Sequence, residues 1–237
     1  MGAMDEVESA ALLARSKVAY RDKRFDEAEN LARQALATAE RASGAESEAI
    51  VQYLSWLAIA LGGTQARNKT ALPEQVLLHE RVLRIVESTK GPRDLSTAEA
   101  LHALALGLHR LGRHDDALAA LRRALDISDG TLLGDSYYLT TWAVLEALGT
   151  LLLEMGRAEE AIPFLHRVVQ RTDAQANDTG LSLSRMVLHR KLGRALLNAR
   201  RADEAVPSLR TALAIAEAKG EEVAAGELRA WLAEAQG

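Results

Sequence analysis

Cysteine is absent from the 237-residue chain, which excludes disulfides, thiol nucleophiles and cysteine-ligated zinc. Proline occurs only 4 times, and aromatic residues make up 4% of the sequence. β-Branched residues are scattered, so nothing reads as a set of strands. No stretch approaches the roughly 18 consecutive apolar residues of a membrane-crossing helix, and the N-terminus lacks a basic-then-apolar signal pattern. The expectation is a soluble, cytoplasmic chain with no membrane insertion. A net charge of −4 with both signs mixed leaves no basic footprint for nucleic acid. Met1-Gly2-Ala3-Met4 reads as a cloning scar ahead of a native start, or ahead of a fragment cut from a longer protein.

What is present is 48% hydrophobic residues, mostly alanine and leucine, both strong helix formers. The clearest stretch runs from 91 to 128. Leu101, Leu104, Ala105, Leu108 and Leu111 recur at helical spacing, and after the turn Leu111-Gly112-Arg113-His114 so do Ala117, Leu118, Leu121, Ala124 and Leu125. Asp115 and Asp116 at the start of the second helix suit its dipole. A lone hairpin of this kind leaves its apolar stripe open, so it needs neighbours like itself.

The neighbours are visible as a repeat. Arg24, Arg113, Arg157 and Arg201 each stand in a turn, followed by an acidic pair and then by Ala28, Ala117, Ala161 or Ala205. Those alanines lie 89, 44 and 44 residues apart, so a degenerate unit belongs in the first gap. Residues 50–62 and 73–88 supply its two helices, with Gln75 in place of the anchoring alanine. Five hairpins result, at about 5–42, 46–89, 95–128, 135–172 and 180–218, with a further helix at 221–236 carrying Val223, Leu228, Trp231 and Leu232 on one side. Gly149 and Gly193 follow Leu148 and Leu192, where Ala58 and Ala105 stand in other units. Such small residues allow helix axes to cross at about 8–10 Å. Pro163 and Pro207 fall in or near the first turns of their helices.

The two-helix unit and the Gly-Arg-x-acid-acid-Ala turn resemble tetratricopeptide repeats (TPR). The linker Gly91-Pro92-Arg93-Asp94-Leu95-Ser96-Thr97-Ala98 resembles the GPDHPDTA-type linker of the kinesin-light-chain-like TPR subfamily. Glu160-Ala161-Ile162-Pro163-Phe164-Leu165 resembles its EAEPLL helix. The resemblance covers 5–236 as a single array. It implies an all-α, right-handed α-solenoid (superhelix) of about five TPR-like helical hairpins plus a C-terminal capping helix, and a protein that binds other proteins and not an enzyme.

Chemistry-bearing patterns are few. Gly63-Thr64-Gln65-Ala66-Arg67-Asn68-Lys69-Thr70 approximates a phosphate-binding loop, but it follows a helix where such loops follow a strand. His102 and His109 share a helix face about 10.5 Å apart in rise, too far to hold one metal between them. No catalytic set can be assembled, and no metal or cofactor is expected. In arrays of this kind the first helix of each hairpin lines a concave groove. By repeat alignment its residues are Lys17, Tyr20 and Arg21; Gln52, Ser55 and Trp56; His102, Leu106, His109 and Arg110; Glu146, Thr150 and Glu154; and Arg190, Arg194 and Asn198. Trp56 can be read equally as core. The charges run basic, neutral, basic, acidic, basic, which favours a partner of the matching pattern. Lys17 lacks a following asparagine, so a clamp for chaperone C-terminal carboxylates is not expected. The expected function is a non-catalytic adaptor or scaffold holding a peptide or a folded protein, a signalling GTPase or regulator included. The alternative is a peptide-sensing regulatory domain excised from a larger signalling or transcription-regulating protein. The Ala-, Leu- and Arg-rich composition suggests a bacterial source.

Overall fold

In the computed structural model the described residues are 2–64, 71–129, 135–174 and 182–236, with the side chains of residues 2 and 135–139 not described. Among them are eleven α-helices and no strand. In order these are α1 (Gly2–Arg21), α2 (Phe25–Ser43), α3 (Val51–Thr64), α4 (Ala71–Thr89), α5 (Leu95–Arg110), α6 (His114–Asp129), α7 (Asp135–Glu154), α8 (Ala158–Asp173), α9 (Ser182–Asn198), α10 (Ala202–Lys219) and α11 (Glu222–Gln236). A single 3₁₀ turn, Glu48–Ile50, precedes α3. The chain forms two compact units, Met1–Leu133 and Gly134–Gly237. In the first, the hairpins α1–α2, α3–α4 and α5–α6 stack through α2 on α3 and α4 on α5. In the second, α7–α8 and α9–α10 stack through α8 on α9, and α11 packs on α10.

The repeated phrase is explained by the turn it builds. Lys23, Gly112, Gly156 and Arg200 occupy one position and all have positive φ, at 61°, 80°, 74° and 59°. Glycine takes that conformation freely, and the two other units tolerate it at a cost. The next residue, always arginine, returns its N–H to a carbonyl five residues back: Arg24 to Ala19, Arg113 to Leu108, Arg157 to Leu152 and Arg201 to Leu196. This closes the helix end in the manner of a Schellman turn. Each arginine then meets the second acid of its phrase, Arg113–Asp116, Arg157–Glu160 and Arg201–Glu204 at 2.7 Å each, and Arg24–Glu27 likewise. Such exposed pairs contribute little energy in water; they hold the basic side chain over the N-terminus of the second helix.

Small residues interlock the hairpins. Ala28, Ala117, Ala161 and Ala205 are fully buried. A Cβ on Gly149 would lie 2.5 Å from Leu165 Cγ, and one on Gly193 would lie 2.5 Å from Leu209 Cδ2, so the leucine of the second helix occupies the space above each glycine. In the degenerate unit Gln75 is buried, and its Nε2 donates to the carbonyl of Ala58 across the hairpin. The amide replaces an apolar contact by a hydrogen bond to backbone.

The linker at 91–98 is equally specified. Gly91 has φ 104°. Asp94 caps α5, accepting from Ser96 N at 2.8 Å and Ser96 Oγ at 2.7 Å, and these bonds hold its carboxyl below the usual range. Thr97 Oγ1 donates to the Gly91 carbonyl at 2.8 Å. The linkers at 130–134 and 175–181, and residues 65–70 of the loop-like motif, lie outside the described residues.

Two expectations shift in detail. Pro163 and Pro207 sit inside α8 and α10, at the sixth helical residue of each. Both are exposed, so the backbone bond each forgoes lies toward water. Val223 is 91% exposed, while Leu228 is fully buried and Trp231 and Leu232 are half-buried. Only the latter three share the packing side of α11, because Val223 stands in its first turn, short of the contact.

Candidate partner-binding groove

In the first unit a cleft of about 540 Å³ opens between α3 and α5, with α4 as its floor and the end of α1 at one side. Tyr20, Ser55, Leu106 and Arg110, four of the residues expected from the repeat alignment, line it together. Its walls are apolar: Ile59 and Leu106 are exposed at 45% and 42%, and Val82 and Val86 lie below them. The floor exists because α5 comes close to α4 at Gly107, where an added Cβ would lie 3.2 Å from Val76 Cγ2. Arg110 makes no ion pair among the described residues. Beside it His79 has its pKa pushed down to about 4, first by burial and then by the Arg110 charge, so it remains neutral through the physiological range.

At the α1 edge of the cleft an aromatic cluster forms. Tyr20 packs edge-to-face on Phe25 and on Trp56, with centroids 5.2 Å and 5.6 Å apart. The Lys17 ammonium lies 5.4 Å from the Trp56 ring centroid, a cation–π contact. Trp56 is half-buried, and its Nε1 donates to Ser16 Oγ at 2.7 Å, which donates in turn to the Ala28 carbonyl at 2.7 Å. Trp56 does not line the cleft: its indole nitrogen is anchored to Ser16 and its ring faces Lys17. Gly63 serves this cluster, since a Cβ there would overlap Phe25 Cδ1. Arg21 is exposed at the end of α1. Gln52 does not line the cleft but an adjoining hollow with Glu48 and Lys90, which shares Val51, Val86 and Ser96 with it. His102 is half-buried and does not line the cleft, and His109 faces His114 across the hairpin turn at 3.2 Å between Nδ1 atoms.

In the second unit four of the expected residues, Glu146, Thr150, Arg190 and Arg194, are engaged within the unit. Glu146 and Thr150 both receive Lys191 Nζ, at 2.8 Å and 2.9 Å. Arg190 pairs with Glu227 at 3.1 Å and Arg194 with Glu234 at 3.7 Å, and the Arg194 guanidinium lies 5.0 Å from the Trp231 ring centroid. Those two arginines hold α11. Glu154 and Asn198 are exposed. A small hollow of about 220 Å³ lies between Trp142, Glu146, Leu183 and Val187. Behind it, buried His189 bonds Asp173 at 3.0 Å. Burial pushes the Asp173 carboxyl up, but His189 and Arg185 outweigh it and its pKa is lowered overall.

Repeat alignment identified first-helix residues and missed the second-helix floor, where Gln75, His79, Val82 and Val86 line the cleft. The one available signal was Gln75, the polar substitute for an otherwise invariant alanine within this chain. Among the described residues no three His, Asp or Glu side chains group as metal ligands, and no helix is long and apolar enough to cross a membrane.

Residues 10–49 and 78–129 each match the tetratricopeptide repeat family. No curated protein matches the sequence. Among solved structures, a Podosopora anserina kinesin-light-chain-type protein of nearly identical TPR-like repeats superposes with a TM-score of 0.70 at 22% identity, over 88% of this chain and 95% of that one. BtubC (BKLC) from P. vanneervenii does so with a TM-score of 0.71 at 17% identity, over 92% and 89%. The Rap conjugation gene regulator of the plasmid pLS20, solved in complex with the Phr* peptide, gives 0.58 at 15% identity, over 92% of this chain and 56% of that chain.

Proposed function

Given that the chain is a TPR protein with the fold of kinesin-light-chain-like repeats, we propose that it is a non-catalytic interaction module whose first unit holds a partner in the α3–α5 cleft. The observation that carries this reading is the cleft itself. Exposed apolar walls at Ile59 and Leu106, an uncommitted Arg110 and a neutral His79 converge on a volume that suits one or two side chains of a partner segment. Stacked hairpins hold these walls rigidly, so little ordering entropy is lost on binding. The occupant is a peptide segment, free or displayed on a folded protein such as a signalling GTPase, and the module acts as an adaptor or scaffold. A cytoplasmic, bacterial setting accompanies this reading.

One finding favours a second reading, a peptide-sensing regulatory domain of a larger protein. The Rap regulator that shares this fold was solved with a peptide, and the present chain matches little more than half of its length. In that case occupancy of the cleft would bias an attached effector.

Leu106→Glu places a charge on the apolar wall without touching the core. It is expected to weaken capture of the chain's partner from a native lysate by about tenfold or more and to leave the melting temperature unchanged. Equal recovery of the same partner by wild type and variant would count against the cleft as the site.

A further inference from the structure

Helix α1 carries two apolar stripes on opposite sides. One, with Ser9, Leu12, Leu13, Ser16 and Ala19, is buried, and α1 packs on α2 and α3. The other is Val7, Ala11, Ala14 and Val18, spaced by four, three and four residues, and every member is exposed. Val7 is 72% accessible. A helix apolar on both sides is one that expects cover on both, and alternation of three and four is the seam of a two-helix coiled coil. The two alanines at mid-seam let a second helix approach closely. On one edge of the seam stand Glu8 and Arg15, seven residues apart, both exposed and neither in an ion pair among the described residues.

We propose that α1 is a self-association surface on which a second copy of this chain lays its own α1 antiparallel. In that register Ala11 faces the partner's Ala14, Val7 faces the partner's Val18, and Glu8 meets the partner's Arg15. The two-fold axis repeats each of these contacts, as an isologous interface requires. The charges choose the direction. A parallel pair would set Arg15 beside the partner's Ala10 and Glu8 beside the partner's Ala3, leaving both uncompensated, whereas the antiparallel pair satisfies both twice. A seam of under three heptads buries little area, so the dimer is weak, with a Kd of about 10–100 µM.

Sedimentation velocity on the intact chain, from about a tenth to about ten times that Kd, tests the proposal. Wild type is expected to pass from monomer to dimer. Ala14→Glu should stay monomeric, and Glu8→Arg, which sets like charges opposite each other, should weaken the dimer about tenfold. The charge swap Glu8→Arg with Arg15→Glu should restore it. Circular dichroism checks that each variant keeps its helix content, which these exposed positions do not endanger. A wild type that stays monomeric, or a dimer indifferent to Ala14→Glu, overturns the surface. A swap that fails to restore association overturns the antiparallel register.

Discussion

Gly149→Val is expected to destabilise the α7–α8 hairpin by about 3 kcal/mol, at the upper end of overpacking costs. The reason is geometric. The first atom of any side chain at 149 would sit 2.5 Å from Leu165 Cγ and 2.6 Å from its Cδ2, and Leu165 is fully buried with no room to withdraw. The helix axes would have to part, and the neighbouring contacts of Leu148 and Leu152 would open with them. Two effects oppose: a non-glycine residue inside a helix gains up to about 1 kcal/mol in propensity, while the overlap costs more. The magnitudes therefore predict net loss. Leu165→Ala alone leaves a cavity and should cost about 2–5 kcal/mol. Combined, the two should be strongly non-additive, because valine at 149 grows into the space that leucine vacated. Urea unfolding of all four proteins gives the coupling energy, expected to be at least about 2 kcal/mol. An additive pair would show that the glycine is not there to admit the leucine.

The second large effect concerns the unit that departs from the repeat. Gln75→Glu is expected to lower the stability of the first unit by about 3 kcal/mol at neutral pH, the order of an uncompensated buried charge. The glutamine is 3% exposed and its amide donates to the Ala58 carbonyl; a carboxylate there would turn an acceptor toward an acceptor. The pH dependence follows in sign. Burial raises the folded-state pKa of the introduced carboxyl above its unfolded value of about 4.3. The deficit relative to wild type is then small below that pH, where both states are protonated, and grows as pH rises through the folded-state value. Gln75→Met, uncharged and of similar volume, should cost under about 1.5 kcal/mol. Thermal unfolding of the three proteins across the acid range separates the charge from the shape. A deficit in the glutamate variant that does not change with pH would contradict the buried-charge explanation.

These two sites mark where the sequence was legible and where it was not. Hairpins could be read because each depends on local spacing: apolar residues at helical period, an anchoring alanine and a turn with an arginine and two acids. Gly149 and Gly193 could be read as close-packing positions for the same reason. The missing alanine at Gln75 was visible as an anomaly, but its bond to Ala58 was not, since that contact depends on how α3 and α4 cross. The cleft was half legible. Tyr20, Ser55, Leu106 and Arg110 follow from aligning first helices, whereas His79, Val82 and Val86 come from the second helix and enter only because α5 closes on α4 at Gly107. Charge was least legible. Arg190 and Arg194 read as basic residues of the groove, yet Glu227 and Glu234, more than thirty residues on, pair with them and so hold α11 in place. Lys191 does the same for Glu146. Pairings of that separation have no local signature.

The central claim is that the α3–α5 cleft of the first unit receives the partner. Hydrogen exchange of the chain with and without a captured partner tests it directly. Slowed exchange is expected in the C-terminal halves of α3 and α5 and in α4 around His79, with α2 and α6 unaffected. Protection confined to α2 and α6, or to the second unit alone, would contradict it.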